Sequence, residues 1–233
     1  MRVVFLPGLG ADERLFEPQI EAVREAGHAP ETPAWPGHRP GETLPAFAGR
    51  AGDAIAPCAQ TLLVGFSFGG MVALEIAARG DADHRPAGVV LISGLRSKRA
   101  VTLGFKAQQA AGRLVPRSLV RTMMTGRLVD RFAATDALSA EQTEILRDMA
   151  RRTDLDFLFW AARASARWGF DGRCRSPVRH VHGRLDRTIP YAAHPDLPGG
   201  EARLVDGGHL ITWTAPETVN EVILEAAGAH EER

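Results

Sequence analysis

The chain has 233 residues, 45% of them hydrophobic and 24% charged, with 28 basic and 28 acidic side chains in balance. That is the make-up of an ordinary globular protein of one α/β domain with an insertion or two small domains, and zero net charge argues against nucleic acid or an anionic membrane as its main partner. Two distant cysteines without metal spacing, Cys58 and Cys174, no span-length apolar window, and an apolar start cut short by Pro7-Gly8 read as a reduced, cytoplasmic chain.

Taken in order, Arg2 to Leu6 is a continuous apolar run suited to a strand buried on both faces. Pro7-Gly8-Leu9-Gly10 breaks it, and a helix follows that closes at Gly27. Ala29 to Trp35 is weakly extended and rich in proline. Thr43 to Ile55 reads as a helix with an alanine-rich face. Leu62 to Val64 is strand-like, Gly65-Phe66-Ser67-Phe68-Gly69 is a tight glycine-flanked turn, and Gly70 to Ala77 has helical spacing. Gly88 to Ser93 is another buried-strand run. Strand and helix thus alternate up to residue 93, which predicts a mostly parallel sheet of about six strands with helices on both faces.

From about Leu95 to Gly169 no strand-like run occurs. Helices are expected near 102–112, 116–124, 139–151 and 154–167, with a capping box at Ser139 and Gln142 and a weaker one at Thr153 and Asp156. This stretch, 95–169, reads as a helical cap inserted in a core made of 1–94 and 170–233. Met123, Met124, Phe157 and Trp160 are candidates for lining an apolar pocket under it; the alternative is that each packs the cap onto the body. After residue 176 the alternation resumes, with strands at Pro177 to Val181 and Glu201 to Val205. A helix from Pro216 to Ala227 and a frayed end at His230 to Arg233 complete the chain.

A serine between glycines at a strand-to-helix switch matches the G-x-S-x-G nucleophile elbow. The sharp turn lifts the hydroxyl clear of the sheet, and the helix N-terminus behind it favours developing negative charge. An ordinary βα turn with packing glycines is the alternative. An elbow serine needs a base, and the base an orienting acid, expected later in the chain in loops at strand C-termini. Asp186 in His182-Gly183-Arg184-Leu185-Asp186 and His209 in Gly207-Gly208-His209 meet that order, and Asp206 beside the second turn is the reserve acid. His180 and His182, two apart on a strand, lack the further ligands a zinc site needs. His28, His38, His84 and His194 read as solvated loop residues.

With these marks, and with Pro7-Gly8-Leu9-Gly10 and Ile189-Pro190, the chain resembles the α/β-hydrolase superfamily of the capped, esterase-like kind. The resemblance implies Ser67 as nucleophile, His209 as general base and acid, and Asp186 as its orienter. It implies the backbone N–H groups of Leu9 and Phe68 as oxyanion hole. Two N-terminal antiparallel strands of many relatives are missing, and Pro7 stands where the family often has histidine. The implied activity is hydrolysis of an ester, thioester or lactone of a small, largely apolar acyl group, without cofactor or metal and with a small molecule as partner. A serine argues against the epoxide-hydrolase and dehalogenase branches, which use aspartate there. A carbon–carbon bond hydrolase, an acyltransferase, or a ligand-binding protein with little turnover share the same marks.

Overall fold

The computed structural model describes residues 1–79, 84–101, 115–191 and 202–229. The helix expected at 102–112, His194 and the end at His230 to Arg233 lie outside the described residues. Six strands form one sheet in the order β2-β1-β3-β4-β5-β6, every neighbouring pair parallel. They are β1 Arg2–Leu6, β2 Ala29–Glu31, β3 Thr61–Phe66, β4 Gly88–Ile92, β5 Val178–Gly183 and β6 Arg203–Val205.

The period of two along each strand sorts side chains onto two faces. Val4, Leu6, Leu63, Val89 and Leu91 join one apolar cluster with helices α2 (Leu44–Ile55) and α3 (Phe68–Arg79). Val3, Phe5, Leu62, Val64, Val90 and Ile92 join a second. Helix α1 (Glu17–Glu25) contributes Val23 to that second cluster, and the C-terminal helix Pro216–Gly228 contributes Val219, Val222 and Ile223. Both faces being covered is why the strand sequences are unbroken apolar runs rather than alternating ones. Thr43 caps α2 with its side chain on the Ala46 N–H, and Gly27 takes φ +79° after α1, as its glycine-closed end predicts.

Between β4 and β5 the described residues are helical: a short 3-10 turn at Lys98–Ala100, then α4 (Arg117–Met123), α5 (Val129–Thr135), α6 (Ala140–Arg152) and α7 (Leu155–Ala166). A π turn, Met124–Leu128, joins α4 to α5. Helix α5 lies outside the expected helices, because Val129, Phe132 and Ala133 span only one turn of apolar spacing in seven residues. The capping box at Ser139 and Gln142 forms. The one at Thr153 does not: Asp154 caps α7, and the Thr153 hydroxyl donates instead to the Met149 carbonyl. His38 is a second correction. It is half-buried and stacked on Trp160, ring centroids 5.5 Å apart at 18°. A four-residue helix α8 (Ile211–Thr214) precedes the terminal helix, α9. Among the described residues no helix is long and apolar enough to cross a membrane.

Candidate active site

Every residue from Thr61 to Ala77 is buried except Ser67, which is partly exposed. Its backbone takes φ +53°, the left-handed region that L-residues other than glycine seldom adopt. The turn is pinned on both sides: the Ser67 N–H donates to the Ile92 carbonyl at 2.9 Å, and the Gly70 N–H donates to the Ser67 carbonyl at 3.1 Å. The flanking glycines are required by close approach. A Cβ on Gly65 would lie 2.5 Å from the Gly70 Cα, and one on Gly69 only 1.9 Å from the Leu6 carbonyl oxygen. The helix therefore starts hard against the ends of β1 and β3, and a strained, partly exposed serine stands at its N-terminus. The loop after β1 runs beside it, since a Cβ on Gly8 would be 3.2 Å from the Ser67 Cβ. Among the described residues no backbone acceptor pairs with the N–H of Leu9 or of Phe68.

Asp186 and His209 sit in the loops after β5 and β6, and backbone bonds tie those loops together. Arg184 N–H donates to Val205 O and Leu185 N–H to Gly207 O, both at 2.9 Å. His209 Nδ1 then donates to Asp186 Oδ2 at 2.7 Å, with both side chains buried. This leaves Nε2 of the imidazole as its free acceptor. Asp186 Oδ1 accepts from the N–H groups of Thr188 and Ile189 at 2.8 Å. Burial alone raises its pKa. Bonds from His182, His209 and Ile189 outweigh that and hold it well below the usual carboxylate range. Asp206, the reserve acid, is almost fully exposed and faces Arg184.

Further residues converge here. His182 is on β5, which runs two residues past the expected end at Val181. Its Nε2 donates to Ile189 O at 2.8 Å and stands 3.3 Å from Asp186 Oδ2, so the carboxylate is held between two histidines. A carbonyl only accepts, so neutral His182 carries its proton on Nε2 and accepts at Nδ1 from His180 Nε2, 3.1 Å away. Among the described residues no group of three histidine, cysteine or acidic side chains is arranged to hold a metal ion. Two rings pack on His209: Phe66 at 4.9 Å between centroids, and Phe132 of α5 at 6.0 Å and 26°. The contact with Phe66, the residue before Ser67, brings the histidine loop to the elbow. Asp136, just after α5, accepts from the Leu210 N–H at 2.9 Å. Burial pushes its carboxyl up, against the pull of the Leu210 N–H and of His209.

The four candidate pocket residues part company. Trp160 is 5% exposed, packs on Phe47 at 4.7 Å and donates its indole N–H to the Glu42 carbonyl. Met123 is 44% exposed. Phe157 is half-buried and meets Phe68 edge-on at 6.0 Å. A Cβ on Gly10 would come 3.6 Å from the Met124 methyl and 3.3 Å from the Thr153 hydroxyl, so the helices reach the loop that carries Leu9.

A family profile described as "Alpha/beta hydrolase family" matches residues 3–222. No curated protein sequence matches the chain. Among solved structures it is similar to a thermophilic esterase from Thermogutta terrifontis, with a TM-score of 0.71 and 19% identity over 99% of this chain and 90% of that one. It is also similar to an enol-lactonase from Burkholderia xenovorans, with a TM-score of 0.64 and 18% identity over 97% and 90% of the two chains. A variant of an epoxide hydrolase from Bacillus megaterium gives a TM-score of 0.71 at 12% identity over 97% and 93%. At such identities the likeness is one of fold.

Proposed function

The chain belongs to the alpha/beta hydrolase family, and on that premise we propose that it is a serine hydrolase of carboxylic esters, thioesters or lactones with a small, largely apolar acyl group. The observation that carries this reading is the pairing of a strained, partly exposed serine at the β3–α3 turn with a buried Asp186–His209 hydrogen bond in loops at the same C-terminal end of the parallel strands. The scaffold does not choose the reaction, since an epoxide hydrolase has a similar fold. Serine at the elbow favours acyl transfer.

In this mechanism Ser67 Oγ attacks the acyl carbon while His209 Nε2 takes its proton. The oxyanion lies against the N–H groups of Leu9 and Phe68, which have no backbone acceptor among the described residues, and against the N-terminus of α3. Collapse breaks the bond from the acyl carbon to the leaving oxygen, or to sulfur in a thioester, and that atom takes the proton from His209. Water then gives its proton to His209 and attacks the acyl-serine, releasing the acid and regenerating Ser67. Asp186, kept ionised, holds Nδ1–H and stabilises the imidazolium in both halves. The helices between β4 and β5 act as the cap, with Met124 and Phe157 the residues nearest the acyl group. The partner is a small molecule, and no cofactor takes part.

The test is reaction with a fluorophosphonate probe, followed by turnover of short p-nitrophenyl esters, thioesters and lactones compared by kcat/KM. Labelling at Ser67 with turnover of one of these classes is expected. A folded protein that neither reacts with the probe nor turns over any of them is a binding protein on a hydrolase scaffold.

A further inference from the structure

His209 is seated from two directions in the chain. Asp186 holds Nδ1 from the β5 loop, as described above. The second set comes from α5, where Phe132 lies against the imidazole and, four residues later, Asp136 sends its carboxylate into the Gly207-to-Leu210 turn. Asp136 is 5% exposed; Oδ1 takes the Leu210 N–H, the Gly208 N–H also pulls on the carboxylate, and Oδ2 is buried with no partner in good hydrogen-bond geometry. A buried carboxylate with one unsatisfied oxygen is unfavourable for folding, and an apolar side chain of that size would cost less there.

Gly208 fits the same picture. The three nearest atoms to a Cβ built on it are Asp136 Oδ1 at 2.5 Å, Cγ at 2.7 Å and Oδ2 at 2.7 Å. Its backbone is not among those with positive φ, so the turn itself admits a side chain. Glycine at 208 makes room for Asp136.

We propose that Asp136 is a positioning residue for His209. Its hydrogen bond to Leu210 N–H fixes the turn that carries the imidazole, so the base is aimed only when α5 is in place. This rests on the reading of His209 as the base. A misplacement of about 1 Å in such a group costs roughly 100-fold in rate.

The test compares Asp136→Ala, Asp136→Asn, Gly208→Ala and the Asp136→Ala/Gly208→Ala double variant with the wild type, using the best ester and a thermal melt. Asp136→Ala should lower kcat by about 10- to 100-fold with KM nearly unchanged. Asp136→Asn keeps an oxygen acceptor for Leu210 and should recover most of that loss. Gly208→Ala should resemble Asp136→Ala, and the double variant should be no worse than either single, because both act on one contact. Losses that multiply in the double variant overturn the proposal. So does Asp136→Ala with wild-type kcat and only a lower melting temperature, or Asp136→Asn as impaired as Asp136→Ala. His209→Ala is the control for the underlying reading: if it stays active, His209 is not the base, whatever the Asp136 variants do.

Discussion

Strands β1, β3 and β4 bury every residue from Val3 to Leu6, Thr61 to Phe66 and Gly88 to Ile92, whereas α4 buries none and α5 only Val129. Helices α4 to α6 are also laced by polar contacts. Arg147 pairs with Asp130 and Glu144, Arg151 pairs with Glu144, and Arg121 donates to the carbonyls of Ala150, Arg151 and Thr153. Among the helical segment's contacts with the body are Trp160, Ala161 and Ala164 in the first cluster, Met149 in the second, Arg14 with Asp148, and Asp136 with the Leu210 N–H. The difference separates two tasks. Apolar burial fixes the strands whose C-terminal loops carry Ser67, Asp186 and His209. The segment facing them has a thinner core and is the part whose local opening costs least.

The sharpest way to break this division is Ser67→Ala. If the chemistry belongs to the loops at the strand ends, ester turnover should fall by roughly a thousandfold or more with the melting curve preserved. A folded, fully active Ser67→Ala protein would sink the assignment. Asp186→Asn comes next. It removes the charge that stabilises the imidazolium and disturbs the tautomer, so kcat should drop by about 10²- to 10⁴-fold. Near-normal activity would transfer the orienting role to another group, His182 being the nearest neighbour to examine.

Trp160→Ala tests the anchor rather than the site. Loss of a buried indole should cost about 3–5 kcal/mol of stability by denaturant titration. Phe157→Ala should instead change acyl-chain preference, because this ring is only half-buried. If Trp160→Ala leaves stability intact and alters preference, the two residues have been assigned the wrong way round.

Glu75 on α3 sharpens the account of the body. It is buried, it accepts from Trp168 Nε1 at 2.8 Å, and burial raises its pKa despite that bond. An acid with a raised folded pKa binds its proton more tightly folded than unfolded. Stability is therefore lost as pH rises above the unfolded value of about 4.3 and on through the folded one. Glu75→Gln keeps the acceptor and removes the charge, so its melting temperature relative to wild type should climb with pH above that point and level off. A difference independent of pH would mean that the charge carries no penalty. Smallest of all, Asp148→Asn breaks solvent-screened ion pairs with Arg14 and Arg152 and should lower stability only slightly, the loss shrinking further in high salt. A larger, salt-insensitive loss would make the pair with Arg14 a principal anchor of the segment.

What the sequence alone determined was whatever depends on local geometry and period. Continuous apolar runs gave β1, β3 and β4 their place in a doubly covered parallel sheet. Glycines 65 and 69 marked a turn that admits no side chains beside Ser67, and Asp186 and His209 followed in order at strand ends. Only the tertiary structure decided which side chains from distant segments meet. Asp136 carries no motif, because its partner is a backbone N–H 74 residues away. His182 lacks the ligands of a metal pair in the sequence, and only the fold shows its bonds to Ile189 and His180 and its approach to Asp186. His38 looked solvated because a loop's stacking partner, Trp160, lies 122 positions off. Trp160 and Phe157, three apart on one helix, read alike in sequence. Both rings pack on Phe47, and what separates them is that Trp160 is 5% exposed and hydrogen-bonded to the Glu42 carbonyl while Phe157 stays half-buried, a difference set by contact across the chain and not by spacing along it.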